Sequence, residues 1–138
     1  MRPPEFFALT NAIDAYLKRT GFHAYCMKCV KGEVEHGTCC RSRNGCFKCD
    51  GLTETGCKDK PMPCTLYSCL EQQRMRPDTV FSLEVVRCNL KDVNVYVDES
   101  ASYSRVYHIG QKIATEMEWS SEQIAALTAC TRYIESCN

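Results

Sequence analysis

Apolar residues recur at helical spacing near the start of the chain. Across residues 3–20 they occupy positions that share one helix face, namely Phe6, Leu9, Ile13, Tyr16 and Leu17. Pro3 and Pro4 suit the first turn of a helix, and Gly21 suits the left-handed residue that follows the last turn. The pattern therefore predicts an amphipathic helix that packs its apolar face against a core.

Residues 22–63 have almost no periodic apolar pattern. Their large aliphatic side chains are Val30, Val34 and Leu52, and five glycines and two prolines interrupt the rest. Such a stretch cannot bury enough apolar surface to offset its conformational entropy. We therefore expect disulfides or bound metal to hold it together.

Periodic patterns return in the second half of the chain. Residues 64–75 predict a helix that ends before Pro77. Residues 80–90 fit either a strand or a helix, whereas the alternation of Val93, Val95 and Val97 predicts a short strand.

Two further helices are predicted towards the end. One covers residues 101–118, with Val106, Ile109, Ile113 and Met117 on its apolar face, and the other starts at the capping sequence 120–123. We expect a small α+β fold, with one domain over residues 1–138. It would comprise an N-terminal helix (1–21), a cysteine-rich segment (22–76) and a strand plus helical part (77–138).

The cysteines carry the candidate chemistry. Nine of the twelve lie within 44 residues, at Cys26, Cys29, Cys39, Cys40, Cys46, Cys49, Cys57, Cys64 and Cys69. Two of the gaps are CxxC, a spacing that lets both sulfurs reach one metal ion from a tight turn. We predict that these nine residues are metal ligands, enough for two four-cysteine sites with one thiolate left over.

The identity of the metal stays open at this point. Closed tetrahedral zinc sites and iron–sulfur clusters both use four cysteines. His36 and His23 each lie three residues before a cysteine and are alternative ligands. The chain has no apolar leader and no membrane-spanning run, so we expect the cytosol, where thiols stay reduced and disulfides are rare.

The two halves of the chain differ in net charge. Residues 21–76 hold nine basic and six acidic side chains, which gives a net charge of +3. Residues 77–138 hold five basic and nine acidic side chains, which gives a net charge of −4. A basic excess of this size can offset the charge of metal-bound thiolates. Alternatively, it can form a weak nucleic-acid surface from the basic residues and one aromatic residue of this region, namely Arg41, Arg43, Lys48, Lys58, Lys60 and Phe47. Phosphate-loop and dinucleotide motifs are absent, and nothing in the sequence singles out a catalytic pair.

The order CxxC, Cys-Cys, Cys, then Gly56-Cys57 and Lys60-Pro61-Met62-Pro63-Cys64, resembles the zinc- or iron-chelating cysteine-cluster (YkgJ-like) family. A related cysteine cluster occurs in flagellin lysine methylases. The resemblance covers residues 26–69. It implies a bound metal or cluster, but here Lys60 replaces the usual arginine, and the Cys29–Cys39 gap is longer than usual.

Three functions follow from these patterns. The first is a zinc-binding accessory or regulatory protein that acts as an interaction module for a protein partner. The second is an iron–sulfur protein with a redox or sensing role, and the third is a weak nucleic-acid-binding zinc protein. The remaining cysteines, Cys88, Cys130 and Cys137, are expected to pack in the core.

Overall fold

The computed structural model describes residues 1–22, 24–25, 52–53, 56–57, 61–68, 70–97 and 103–137, with backbone alone at 52–53, 56–57, 70 and 103–107. In chain order the elements are α1 (Pro4–Arg19), β1 (Leu52–Thr53), β2 (Gly56–Cys57), α2 (Met62–Thr65), α3 (Leu70–Met75), α4 (Pro77–Asp92), α5 (Tyr103–Glu116) and α6 (Ser121–Ser136). We call the six helices the helical body.

Helix α1 confirms the prediction from periodicity. Its buried side chains are the five predicted ones, Phe6, Leu9, Ile13, Tyr16 and Leu17. Pro4 is its first residue, Thr20 its C-cap, and Gly21 follows with a φ of 78°. A glycine takes this left-handed conformation without the steric penalty of a side chain, so the chain can turn there.

Helix α6 lies along α1 and also contacts α4. Its start matches the predicted capping sequence, since the Ser120 hydroxyl accepts a hydrogen bond from the Gln123 amide, and the Gln123 side chain accepts one from the Ser120 amide. Leu127, Cys130 and Ile134 are the buried side chains of α6. The helix is therefore fixed by a local cap at its start and by packing along its length.

The predicted α+β class is wrong, because the described chain is mostly helical. Its only described strands are the two-residue pair β1 and β2, and the predicted strand at residues 93–97 has no partner strand. Val95 and Val97 are nevertheless buried, and the Val97 carbonyl accepts from the Arg87 guanidinium rather than from a strand. The alternating valines thus follow a turn at the end of α4, where Asn94 has a φ of 63°, and Val95 and Val97 bury their side chains without a strand partner.

Two other regions also depart from the expectations. Residues 80–90, which fit either type of element, belong to α4, and its buried positions include Leu83, Val86 and Leu90. The helix predicted over 64–75 is divided into α2 and α3. Leu66 is the C-cap of α2, and its carbonyl accepts from the Arg87 guanidinium instead of continuing a helix.

Helix α5 turns small residues towards the core. Gly110 and Ala114 are buried, whereas the predicted core residue Ile113 is 36% exposed. A Cβ atom on Gly110 would lie only 2.7 Å from Cβ of Pro61. Helix α5 therefore approaches α2 more closely than a larger side chain would allow.

Apolar side chains from the helices and from residues 93–97 form one core cluster. Phe22, Met62 and Leu66 belong to it, so residues on both sides of the region 23–60 are buried together. Among the described residues, no helix is both long enough and apolar enough to cross a membrane.

Candidate metal centre

Two of the nine predicted ligands lie within the described chain. Cys64 lies in α2 with its side chain partly buried, and Cys57 lies in β2, where only the backbone is described. The other seven fall outside the described residues, namely Cys26, Cys29, Cys39, Cys40, Cys46, Cys49 and Cys69. The alternative ligands His23 and His36 fall outside as well, and no group of three or more ligating side chains occurs in the described part.

Cys64 is held on a short, firmly anchored helix. Its neighbours Met62, Pro63 and Thr65 are buried, and the Thr65 hydroxyl donates to the Pro61 carbonyl at 3.1 Å. Because the flanking side chains are fixed in the core, the backbone position of Cys64 is set by the core. This is the arrangement that a metal ligand needs if it is to be preorganised.

Cys57 lies in a minimal antiparallel pair of strands. Leu52 pairs with Cys57, and Thr53 pairs with Gly56, so two residues separate the paired strands. A hairpin of this size has little stability of its own in water. A crosslink such as a metal ion would supply the stability that the hairpin lacks.

The chain enters the region 23–60 from a buried position. Phe22 is 3% exposed, and its carbonyl accepts a 3.0 Å hydrogen bond from Nε2 of Gln72, whose side chain is fully buried. Gly21 adds a further restraint, since its carbonyl accepts from the Tyr25 amide. The backbone immediately before Cys26 is thus tied to both α1 and α3.

The chain leaves the region 23–60 at a second buried position. Pro61 is buried and lies against Gly110 of α5, and Met62 is 2% exposed. Helix α2 also contacts α1. The two ends of the region are therefore held by one core.

Fixing both ends restrains the chain that connects them. We call residues 23–60 the inserted segment, and it carries seven of the nine predicted ligands. Closing a loop of this length has an entropic cost, and the contacts that fix its two ends offset part of that cost.

Three thiols do not belong to the predicted ligand set, and they differ in environment. Cys130 is 2% exposed, and burial raises the pKa of its thiol. The Cys137 thiol donates to the Tyr133 carbonyl at 3.3 Å and packs at the edge of the core. Cys88 is exposed on α4, so the expectation that it packs in the core is wrong.

Sequence reasoning missed the residues that support the ends of the inserted segment. Gln72, Arg76 and Gly110 are polar or small residues in helical patterns, and nothing local marks them as contacts of Phe22, Gly21 and Pro61. Their partners are far away in sequence, so spacing along the chain carries no signal for them. His108 is exposed on α5.

Comparisons with known proteins identified no relative of this chain. No family model matches the chain, and searches of curated proteins and of solved structures found no match. The resemblance to the zinc- or iron-chelating cysteine-cluster family therefore stays a prediction.

Proposed function

We propose that this protein is a small zinc-binding accessory protein of the cytosol, in which the inserted segment and Cys64 hold the metal and the helical body supports them. The observation that carries the proposal is the fixation of both ends of a cysteine-dense, core-poor segment, by Gln72 on Phe22 and by Gly110 on Pro61. A segment of this composition needs a crosslink to fold, and reduced clustered thiols are suited to provide metal ligands.

Zinc would supply a redox-inert tetrahedral crosslink between thiolates. The chain supplies the other parts of the site. The nine candidate ligands are those named from the sequence, and the net charge of +3 on residues 21–76 offsets part of the negative charge that the thiolates gain when they bind. Cys64 contributes a ligand whose position is set by the core.

The structure supports Cys64 as a ligand through its placement, and a pair of variants tests it. Cys64→Ser should release metal from the anaerobically purified full chain, because one thiolate is lost from a closed site. Cys88→Ser is the matched control, since Cys88 is exposed on α4 and far in sequence from the cluster. Metal content measured by plasma mass spectrometry should fall for the first variant and stay at the wild-type value for the second.

Two results would contradict this assignment. Unchanged metal content in Cys64→Ser would remove Cys64 from the ligand set. Iron and acid-labile sulfide in place of zinc, with a broad visible absorption band, would replace the zinc site by an iron–sulfur cluster and favour a redox or sensing role.

We further propose that the protein acts by binding a protein partner. Phe81 of α4 is 66% exposed and Met75, at the end of α3, is 47% exposed, so two large apolar side chains lie in water near the junction of these helices. Large exposed apolar groups are common at protein interfaces. Phe81→Glu should abolish the binding of a partner that the wild-type chain and an Asp78→Asn control both retain, as measured by co-purification and then with the isolated partner.

A further inference from the structure

The side of α4 that points away from the core carries an apolar stripe. The buried residues of α4, with Val86 and Leu90 among them, lie on one side of the helix. Phe81, Val85 and Cys88 are spaced by four and three residues, so they share the opposite side. Phe81 is 66% exposed, Cys88 is exposed and Val85 is half-buried. We call these three residues the outer stripe, and their spacing is the one by which two helices pack together.

Two opposite charges lie along one edge of the outer stripe. Glu84 and Lys91 are seven residues apart, so they lie on the same side of α4 about two turns from each other. Lys91 is exposed, and the Glu84 side chain is 50% exposed, with its Oε1 3.0 Å from Nε of Arg87. A carboxylate has two oxygens and accepts from more than one donor. The apolar stripe is therefore accompanied by an acidic and a basic group, both within reach of a docked helix.

This arrangement is complementary to itself when two copies of α4 run antiparallel. A two-fold axis that crosses the stripe between Val85 and Cys88 brings Val85 against the partner's Cys88 and Glu84 opposite the partner's Lys91. The axis repeats each contact, so two apolar contacts and two ion pairs form. In a parallel pair, Glu84 would lie opposite the partner's Asn89 without an ion pair, so the charges favour the antiparallel orientation.

We propose that the outer stripe of α4 is a homodimerisation surface, on which a second copy of this chain docks antiparallel. This inference rests on the proposal that the protein acts by binding a protein partner, and it names the chain itself as that partner. Phe81 adds a large apolar side chain at each end of the contact. Helix α4 is about 24 Å long, and one helix of this length offers less area than the roughly 800 Å² per partner of a standard interface. We therefore expect a dimer that dissociates on dilution.

Sedimentation equilibrium of the full chain, purified anaerobically and kept reduced, tests the inference over a series of protein concentrations. The mass of the wild type should rise from that of one chain to that of two. Phe81→Glu should raise the dissociation constant by about 10-fold or more, because a charge replaces an apolar anchor of the contact. Lys112→Glu alters an exposed residue of α5 and should leave the dissociation constant unchanged. Alkylation of wild-type Cys88 should slow as the concentration rises, because the dimer covers this thiol.

Charge reversal tests the antiparallel orientation. Glu84→Lys and Lys91→Glu should each weaken self-association by about 10-fold or more, because like charges then meet twice in each dimer. A mixture of the two variants should associate with about the wild-type affinity, because the lysines of one chain face the glutamates of the other. Mixing would not repair the lost ion pair between Glu84 and Arg87, so this rescue separates pairing across the interface from effects within one chain. A mixture that fails to associate would contradict the antiparallel contact.

Two further results would overturn the inference. One is a wild-type chain that stays monomeric at every concentration, and the other is a dimer that forms equally well in Phe81→Glu. If the monomer still bound another protein that Phe81→Glu loses, the proposed function would stand and this inference alone would fall. If Phe81→Glu changed neither self-association nor the binding of any other protein, both would fall.

Discussion

The fully buried side-chain amide of Gln72 donates a 3.0 Å hydrogen bond to the carbonyl of Phe22. Fifty residues separate these two positions in the sequence, and the whole inserted segment lies between them. Gln72 thus couples the end of the N-terminal helix to the helix that follows the cysteines. This contact fixes the start of the inserted segment against the buried core.

Replacing Gln72 tests that coupling. Gln72→Leu keeps the volume of the side chain approximately but leaves the buried Phe22 carbonyl without its donor, so the free energy of unfolding should fall by about 1–3 kcal/mol. Gln73→Leu is the control, because Gln73 is exposed and its substitution should change stability by less than about 0.5 kcal/mol. Urea denaturation of both variants gives the two values, and equal values would contradict the role of Gln72.

Replacing Gly110 by alanine should change the stability of the protein in the opposite direction from most glycine-to-alanine substitutions in helices. Glycine to alanine in a helix interior ordinarily stabilises a protein by roughly 0.5–1 kcal/mol. Here the new Cβ would lie 2.7 Å from Pro61, so Gly110→Ala should instead destabilise the protein by about 1–3 kcal/mol through overpacking. Thermal unfolding measures the difference, with Lys112→Ala as an exposed control on the same helix. A stabilised Gly110→Ala variant would mean that α2 and α5 are not in close contact.

The capping box of α6 predicts a difference between adjacent serines. Ser120→Ala removes the hydroxyl that accepts from the Gln123 amide and should lower the free energy of unfolding by about 1 kcal/mol. Ser121→Ala changes the first helical residue, which has no such role in the cap. Chemical denaturation should therefore show a clear loss for the first variant only, and a similar loss for both would rule out the cap as its cause.

The thiols outside the cluster should differ in reactivity. Cys88 is exposed, whereas Cys130 is buried and its pKa is raised by burial. Because the thiolate is the reactive form, an alkylating reagent should modify Cys88 first and Cys130 last in the folded protein. Mass spectrometry of peptides after timed alkylation gives the order, and early modification of Cys130 would contradict its burial.

The raised pKa of Cys130 also predicts a dependence of stability on pH. Its folded-state pKa lies above the unfolded value, so the folded state holds this proton more tightly. Stability from this group is complete below the unfolded thiol pKa and falls as the pH rises through and above it. Wild type should lose more stability than Cys130→Ala between neutral and alkaline pH, and equal losses in denaturation experiments would contradict the assignment.

Local patterns were sufficient for α1 and α6. The five apolar positions of α1 and the cap at Ser120 are signals contained within a few turns of one helix, and the structure retains both. The valine alternation at 93–97 misled because burial of every second side chain does not require a strand partner. Instead of pairing with a strand, the Val97 carbonyl accepts a hydrogen bond from the guanidinium of Arg87, a residue of the preceding helix.

The helix contacts around the candidate site are harder to predict from the sequence. The core face of α5 is Gly110 and Ala114, and a search for large apolar residues points instead to Ile113, which lies at the surface. Small residues mark close approach of two helices only when the second helix is known. The cysteine spacing is a local signal, and it remains the basis for the predicted ligands, most of which lie outside the described residues.

The metal content of the wild-type protein is the decisive test of the proposal that its cysteines bind metal. The full chain is purified anaerobically without added chelator, then analysed by plasma mass spectrometry and by absorption spectroscopy on the same sample. We expect about two zinc ions per chain and no visible absorption, since eight thiolates complete two tetrahedral sites. A chain without metal, whether its cysteines are reactive thiols or disulfides, would contradict it.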